Sequence, residues 1–245
     1  MADEVTYRDL IEAFTTFVTV SVHTILYERN IYPATSFITA RKYNYPVRQN
    51  RHPRVCKWIT DAVAAVEAEL LKCSVDRIAV VIYDQQDRPL ERYMFDVSRF
   101  PVVPASEQNT PLQRTDDKGE KVAVLPMVDL EEQLRATMSR LSGCGNRLLP
   151  VPEGCTFTVA VELKGESEPP LGHPQPWIPA QPSLQKRTRK DEDGLHEVRG
   201  ADEGGVKTIP VRSVAAGDLA FEMWIEEGKD KVNEKPPSTG STGLG

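Results

Sequence analysis

The stretch GDLAFEMWIEE, residues 217–227, alternates strictly: Leu219, Phe221, Met223 and Ile225 interleave with Ala220, Glu222, Trp224 and Glu226. A period of two is the pattern of a strand with one buried face. A lone strand buries too little apolar surface to be stable, so it must add to a sheet made earlier in the chain. What precedes it is of opposite character. Residues 165–206 are polar and carry Pro169, Pro170, Pro174, Pro176, Pro179 and Pro182; from Ser183 to Lys207 there are six basic and six acidic residues. Such a segment buries too little apolar area to order itself. A late strand beyond a long polar crossing implies that the chain leaves its sheet and returns to it. The question for function is what the returning segment encloses.

Working back from that strand, residues 209–214 read as a short strand before it, and CTFTVAVEL, residues 155–163, as a further alternating strand. RIAVVIYD (77–84), the turn QQDRP and LERYMFDV (90–97) form the clearest hairpin. Thr6 to Arg29 reads as a helix, with Leu10, Phe14, Phe17, Val18, Ile25 and Leu26 at three- and four-residue steps and a Thr6/Asp9 capping pair. It stops before Ile31-Tyr32-Pro33, because a residue before proline is pushed out of the helical region. His52-Pro53 opens a second helix, with proline in a favoured first-turn position and Val55, Ile59, Ala62, Val63, Val66 and Leu70 as its stripe. Asp129 with Glu132 suggests a capping box for a third helix through Leu130, Leu134, Met138 and Leu141, stopped at Gly143. Phe37 to Val47 reads as a connecting segment and Phe100 to Glu120 as a surface loop. The class is α+β: three helices packed on one face of a largely antiparallel sheet, so that each element buries one face.

Composition removes several classes of function. Hydrophobic residues make up 40% of 245, enough for a core but low for the whole length, and the net charge of −6 argues against strong direct binding to nucleic acid. The cluster Lys186–Lys190 is followed at once by Asp191, Glu192 and Asp193, which cancel its field. The start, MADEVTYRDL, has no apolar signal core, and no apolar run approaches the roughly 18 residues of a membrane span, so no membrane partner is expected. Cys56, Cys73, Cys144 and Cys155 have neither Cys-x-x-Cys nor zinc spacing and read as reduced thiols. There is no phosphate-binding glycine loop and no H-E-x-x-H; Asp191–Gly194 lacks calcium-loop spacing; His23, His52, His173 and His196 are scattered. No cofactor or metal is expected and no catalytic set stands out. The remaining enzymatic reading is a small hydrolase using Cys155 or Cys144.

Several motifs fall in a telling order: Leu26-Tyr27-x-Arg29-x-x-Tyr32-Pro33, Lys42-Tyr43-Asn44-x-Pro46-Val47, His52-Pro53, Pro152-x-Gly154-Cys155-Thr156-Phe157-Thr158-Val159, PWI at 176–178 and the final W-I-E-E at 224–227. Together they resemble the HORMA domain family, and within it the accessory subunits of the translesion polymerase zeta. The resemblance spans about residues 6–227. It implies a HORMA domain over 1–227, with a core at 6–163, an inserted loop at 101–122, a "safety belt" at 164–227 and a disordered tail at 228–245. In that family the belt crosses over a short partner peptide and pairs with the far edge of the sheet.

Carried over to this sequence, the resemblance implies that Tyr32, Trp58 and Trp177 bind a proline-containing closure peptide of the catalytic subunit of polymerase zeta. Pro179 stands where the family carries a leucine. Thr208, Glu222 and Trp224 would bind the C-terminal domain of a deoxycytidyl transferase scaffold polymerase; Thr208 and Glu222 replace apolar and amide residues there. Arg135 matches a HORMA–HORMA dimer contact, with Asn30 in place of an acidic residue nearby. The implied role is a non-enzymatic adaptor in translesion synthesis, in the nucleus with the cytoplasm as alternative. The rival within the family is an adaptor in spindle-checkpoint, meiotic or double-strand-break repair signalling.

Overall fold

The computed structural model describes residues 5–165, 177, 207–228 and 231. The expectations for the crossing at 166–206 (Trp177 aside), the basic cluster 186–190 and most of the tail lie outside the described residues. The first helix, α1 (Tyr7–Glu28), begins as its sequence dictates. The Thr6 hydroxyl accepts from the Asp9 amide and the Asp9 carboxylate accepts from the Thr6 amide, a complete capping box. Contrary to the sequence expectation, α1 is long and apolar enough to cross a membrane by length and composition alone. About two thirds of its most apolar stretch is buried inside the protein, where α1 forms the centre of the core. Phe14 and Phe17 each meet Phe221 with ring centroids 5.2 Å apart, and Phe14 meets Phe100 at 5.0 Å.

After α1 come a hairpin of β1 (Phe37–Lys42) and β2 (Tyr45–Asn50), helix α2 (Pro53–Leu71), strands β3 (Val75–Tyr83) and β4 (Pro89–Asp96), a minimal hairpin of β5 (Arg114–Thr115) and β6 (Lys121–Val122), helix α3 (Met127–Ser142), strand β7 (Thr156–Leu163), then β8 (Lys207–Ala216) and β9 (Leu219–Glu227). The main sheet has the order β7-β3-β4-β9-β8 with antiparallel neighbours throughout. The late strand of the opening quotation thus lies beside β4, with Phe95 opposite Met223 and Tyr93 opposite Ile225. Its apolar side, Leu219, Phe221, Met223 and Ile225, belongs to the core that the helices cover.

Two local expectations are corrected. Phe37 to Val47 is not a plain connection: it supplies β1, the turn and the first half of β2, because Tyr43 and Asn44 both adopt a φ of 52° and so reverse the chain in two residues. The third helix starts at Met127 behind Pro126 with no side-chain cap, so Asp129 and Glu132 lie inside its first turns rather than forming a capping box. The turn joining β8 to β9 needs glycine. Gly217 has a φ of 64°, and a Cβ there would stand 1.9 Å from the carbonyl oxygen of Val124. That same oxygen accepts from the Asp218 amide at 2.9 Å.

A charged cluster is buried where β4 begins and β9 ends. Arg29 Nε and Nη2 donate to Glu91 at 3.0 and 2.7 Å, and Tyr93 donates to Glu91 at 3.0 Å. Lys231 bonds both Glu91 and Glu227, and Glu227 accepts from the Leu149 amide at 2.9 Å. Charges this deep persist because each is paired and hydrogen-bonded.

Candidate functional site

A sheet has two edges, and this one treats them differently. Along β8, side chains of α3 bind the outward backbone. Gln133 donates to the Ala215 carbonyl at 2.5 Å and accepts from the Ala215 amide at 2.8 Å, while Arg140 donates to the Val211 carbonyl at 2.7 Å. Along β7 no strand pairs with the outward edge among the described residues. An open edge is a template for another extended chain.

The apolar row of β7 is only half covered. Phe157, Val159, Val161 and Leu163 are half-buried and pack against the core on the helix side. At the start of the strand this row opens into a pocket of about 310 Å³ lined by Tyr32, His52, Arg54, Val55, Trp58, Thr156 and Phe157. Three separate segments meet there. Tyr32 follows the end of α1, where Asn30 takes a left-handed φ of 52° and turns the chain. Trp58 lies in the second turn of α2, in a register set by Pro53 at the helix start. Phe157 is placed by the alternation of β7. Its ring is the centre of the group: Trp58 meets it at 4.7 Å and 72°, Tyr32 at 6.4 Å and 87°, both edge-to-face. Burial raises the Tyr32 hydroxyl above its ordinary value, which keeps it a proton donor.

The structure therefore brings Tyr32 and Trp58 to one pocket. Trp177 is half-buried and packs against the main core, but it is not among the residues lining that pocket. Trp58 is half-buried rather than enclosed, as a wall residue should be. Phe157 was not foreseen as a site residue. The signal for it was available in its inward position on β7, but not the meeting with two distant segments.

The topology gives this edge a further property. Alternating antiparallel neighbours make β7 and β8 parallel, at opposite edges of the sheet. The end of β7 and the start of β8 therefore lie at opposite corners of the five-stranded sheet, roughly 30 Å apart.

Thr208, Glu222 and Trp224 share the sheet face away from the helices: Glu222 and Trp224 alternate on β9, and Thr208 sits opposite Glu226. Thr208 and Glu222 are exposed. Trp224 is half-buried against Ala79, Val81 and Met94, with its Nε1 donating to Glu226 at 2.7 Å. Arg92 pairs with the same Glu226 at 2.6 Å, and Arg77 lies 6.0 Å over the Trp224 ring. Arg135 is half-exposed on α3. The two candidate nucleophiles are poorly placed for catalysis. Burial pushes the Cys144 thiol up to about 11, and its neighbour at 4.0 Å is the Tyr93 hydroxyl; burial also raises Cys155, which donates to the Pro152 carbonyl.

The fold is thus a helical layer over an antiparallel sheet, with the β8 edge bound by α3 and, among the described residues, the β7 edge unpaired beside an aromatic pocket. The chain belongs to the HORMA domain family, whose model matches residues 11–195. Among known proteins it is similar to the DNA polymerase zeta processivity subunit of Schizosaccharomyces pombe, 33% identical over 221 residues, covering 90% of this chain and 93% of that one. It is also similar to the mitotic spindle assembly checkpoint protein MAD2B of Homo sapiens, 29% identical over 220 residues and covering 88% and 89%. Two solved structures share the fold. One is a chain of the mitotic checkpoint complex, with a TM-score of 0.61 and 17% identity over 89% of this chain and 98% of that one. The other is C. elegans HTP-2 bound to the HIM-3 closure motif, with a TM-score of 0.58 and 11% identity over 91% and 92%.

Proposed function

We propose that this protein is a non-catalytic adaptor that traps an extended, proline-containing peptide at the β7 edge, and that the peptide belongs to the catalytic subunit of polymerase zeta. The observation that carries this reading is the open edge of β7 running into the Tyr32–Trp58–Phe157 pocket. A peptide added to β7 gains main-chain hydrogen bonds along the edge and places alternate side chains in the pocket. The crossing at 164–206 acts as the belt over it, and Trp177 contributes from that segment. The sheet face bearing Thr208, Glu222 and Trp224 binds the C-terminal domain of the deoxycytidyl transferase scaffold polymerase. The adaptor thereby joins an extending and an inserting polymerase in translesion synthesis, in the nucleus. Arg135 marks a HORMA–HORMA contact on a third surface. The similarity to the S. pombe polymerase zeta subunit supports the choice of partner.

A second reading, an adaptor in checkpoint signalling, is supported by the similarity to MAD2B. Capture of partners from the protein's own cell extract, followed by mass spectrometry, separates the two. The first reading expects a large B-family polymerase that is captured by the wild type and lost with Trp58→Ala. Recovery of checkpoint proteins without a polymerase overturns it in favour of the second.

A further inference from the structure

The pocket is not purely apolar, and its charge has one sign. Of its seven lining residues, Arg54 is cationic and none is a carboxylate. Arg54 and His52 are exposed at the rim, while the aromatic rings form the floor. Among the described residues Arg54 has no ion pair, in contrast to Lys57 one turn on, which is bound to Asp61 at 2.9 Å. The local sequence repeats the bias: residues 48–54, RQNRHPR, hold three arginines and no acidic residue in a chain of net charge −6. Arg48 is engaged elsewhere, lying 4.6 Å over the Tyr27 ring and bonding Thr39. Arg54 is the cation left at the mouth of the pocket. Since the chain as a whole repels anions, a basic rim here is a local feature.

We infer that the pocket selects peptides in which an acidic side chain closely follows or precedes the apolar residue seated on Phe157, and that Arg54 is the residue that makes this selection. The inference rests on the peptide-trap reading and adds to it the chemistry of the peptide. Side chains two positions apart on an added strand face the same side. The acidic residue therefore belongs within about two positions of the anchor, where it reaches the Arg54 guanidinium while the anchor fills the aromatic floor. A phosphorylated side chain at that position would meet the same donor. Arg54 sits at the rim in contact with water, so its contribution is to choice among peptides rather than to bulk affinity.

The test is selection from a randomised peptide library displayed on phage, performed on the full-length wild type and on Arg54→Glu, a change at an exposed helix position that leaves Trp58 and Phe157 intact. The wild type should enrich peptides carrying Asp or Glu beside an apolar or proline anchor. Arg54→Glu should lose that bias or turn it towards Lys and Arg. A selected acidic peptide, resynthesised, should bind the variant about five- to tenfold more weakly than the wild type at low salt, and the gap should narrow at high salt. Enrichment of apolar peptides with no charge bias, the same for both proteins, would overturn the assignment of Arg54 while leaving the peptide trap standing. No enrichment by either protein would overturn both. Thermal melts of the two proteins should coincide; unfolding of Arg54→Glu moves the comparison to Arg54→Gln, which should lose the bias without reversing it.

Discussion

Replacing Trp58 with alanine should separate binding from folding, because the ring is a wall and not a core. Its half-buried face touches Phe157 edge-to-face at 4.7 Å. Losing that aromatic pair costs about 0.5–1.5 kcal/mol beyond area, and with the partial burial the total loss of stability should be about 1–3 kcal/mol. A fully enclosed aromatic would cost about 3–5 kcal/mol instead. In binding, truncation of an anchor at the centre of an interface costs about 2–4 kcal/mol, or roughly 30- to 1,000-fold in affinity. The assay is calorimetric titration of wild type and variant with a peptide mapped from the captured polymerase subunit, preceded by thermal melts. Trp224→Ala is the control: it lies on the opposite face of the sheet and should leave the peptide affinity nearly unchanged while weakening the scaffold polymerase. The reasoning fails if Trp58→Ala folds and binds the peptide as tightly as the wild type. It also fails if the variant loses the full amount expected of a core aromatic, since Trp58 would then be holding the helix to the sheet.

Glu91→Ala should destabilise the protein by about 3–5 kcal/mol in urea titrations, because it strands the buried Arg29 and Lys231 without their shared carboxylate; a cost under 1 kcal/mol would contradict the paired-charge account. Gly217→Ala should cost about 2–3 kcal/mol through its left-handed φ and the clash with Val124, and a neutral effect in the same assay would mean that the turn relaxes freely. His23 is buried with Nδ1 accepting from the Asn50 amide, and burial lowers it to about 4. The unfolded histidine takes a proton near 6.5, so between these values the unfolded chain holds more protons. Stability should therefore fall as pH drops from about 6.5 towards 4, by up to about 3 kcal/mol from this group. His23→Gln should flatten that part of the curve, and identical slopes in the two proteins would exclude His23 as its cause.

Legibility in the sequence followed how local each signal is. The capping box of α1, proline at the start of α2 and the β-branched alternation of β3 and β4 depend on neighbours in the chain, and these elements were read correctly. The β1–β2 hairpin is hidden in the sequence because its turn uses Tyr43-Asn44 without glycine and because β2 contains Pro46, which strands rarely hold. The start of α3 was misread because its first residues, Met127 and Val128, are exposed apolar side chains behind a proline, where a capping pattern two residues later looked more convincing. Glu91 and Glu227 stand near strand ends, where polar residues are ordinary; only the fold reveals that α1, β4 and β9 converge there and enclose them. Tyr32 and Trp58 came from the family resemblance, whereas the part played by Phe157 required the three segments to be in place.

The central claim is that the open edge of β7 receives a peptide as an added strand. Hydrogen–deuterium exchange of the full-length protein, with and without the peptide mapped from the captured polymerase subunit, tests it most directly. The account predicts slower exchange along Thr156–Leu163 and around Tyr32 and Trp58, with amides of β9 near Trp224 unchanged. Protection confined to the Trp224 face, or none along β7, would contradict it.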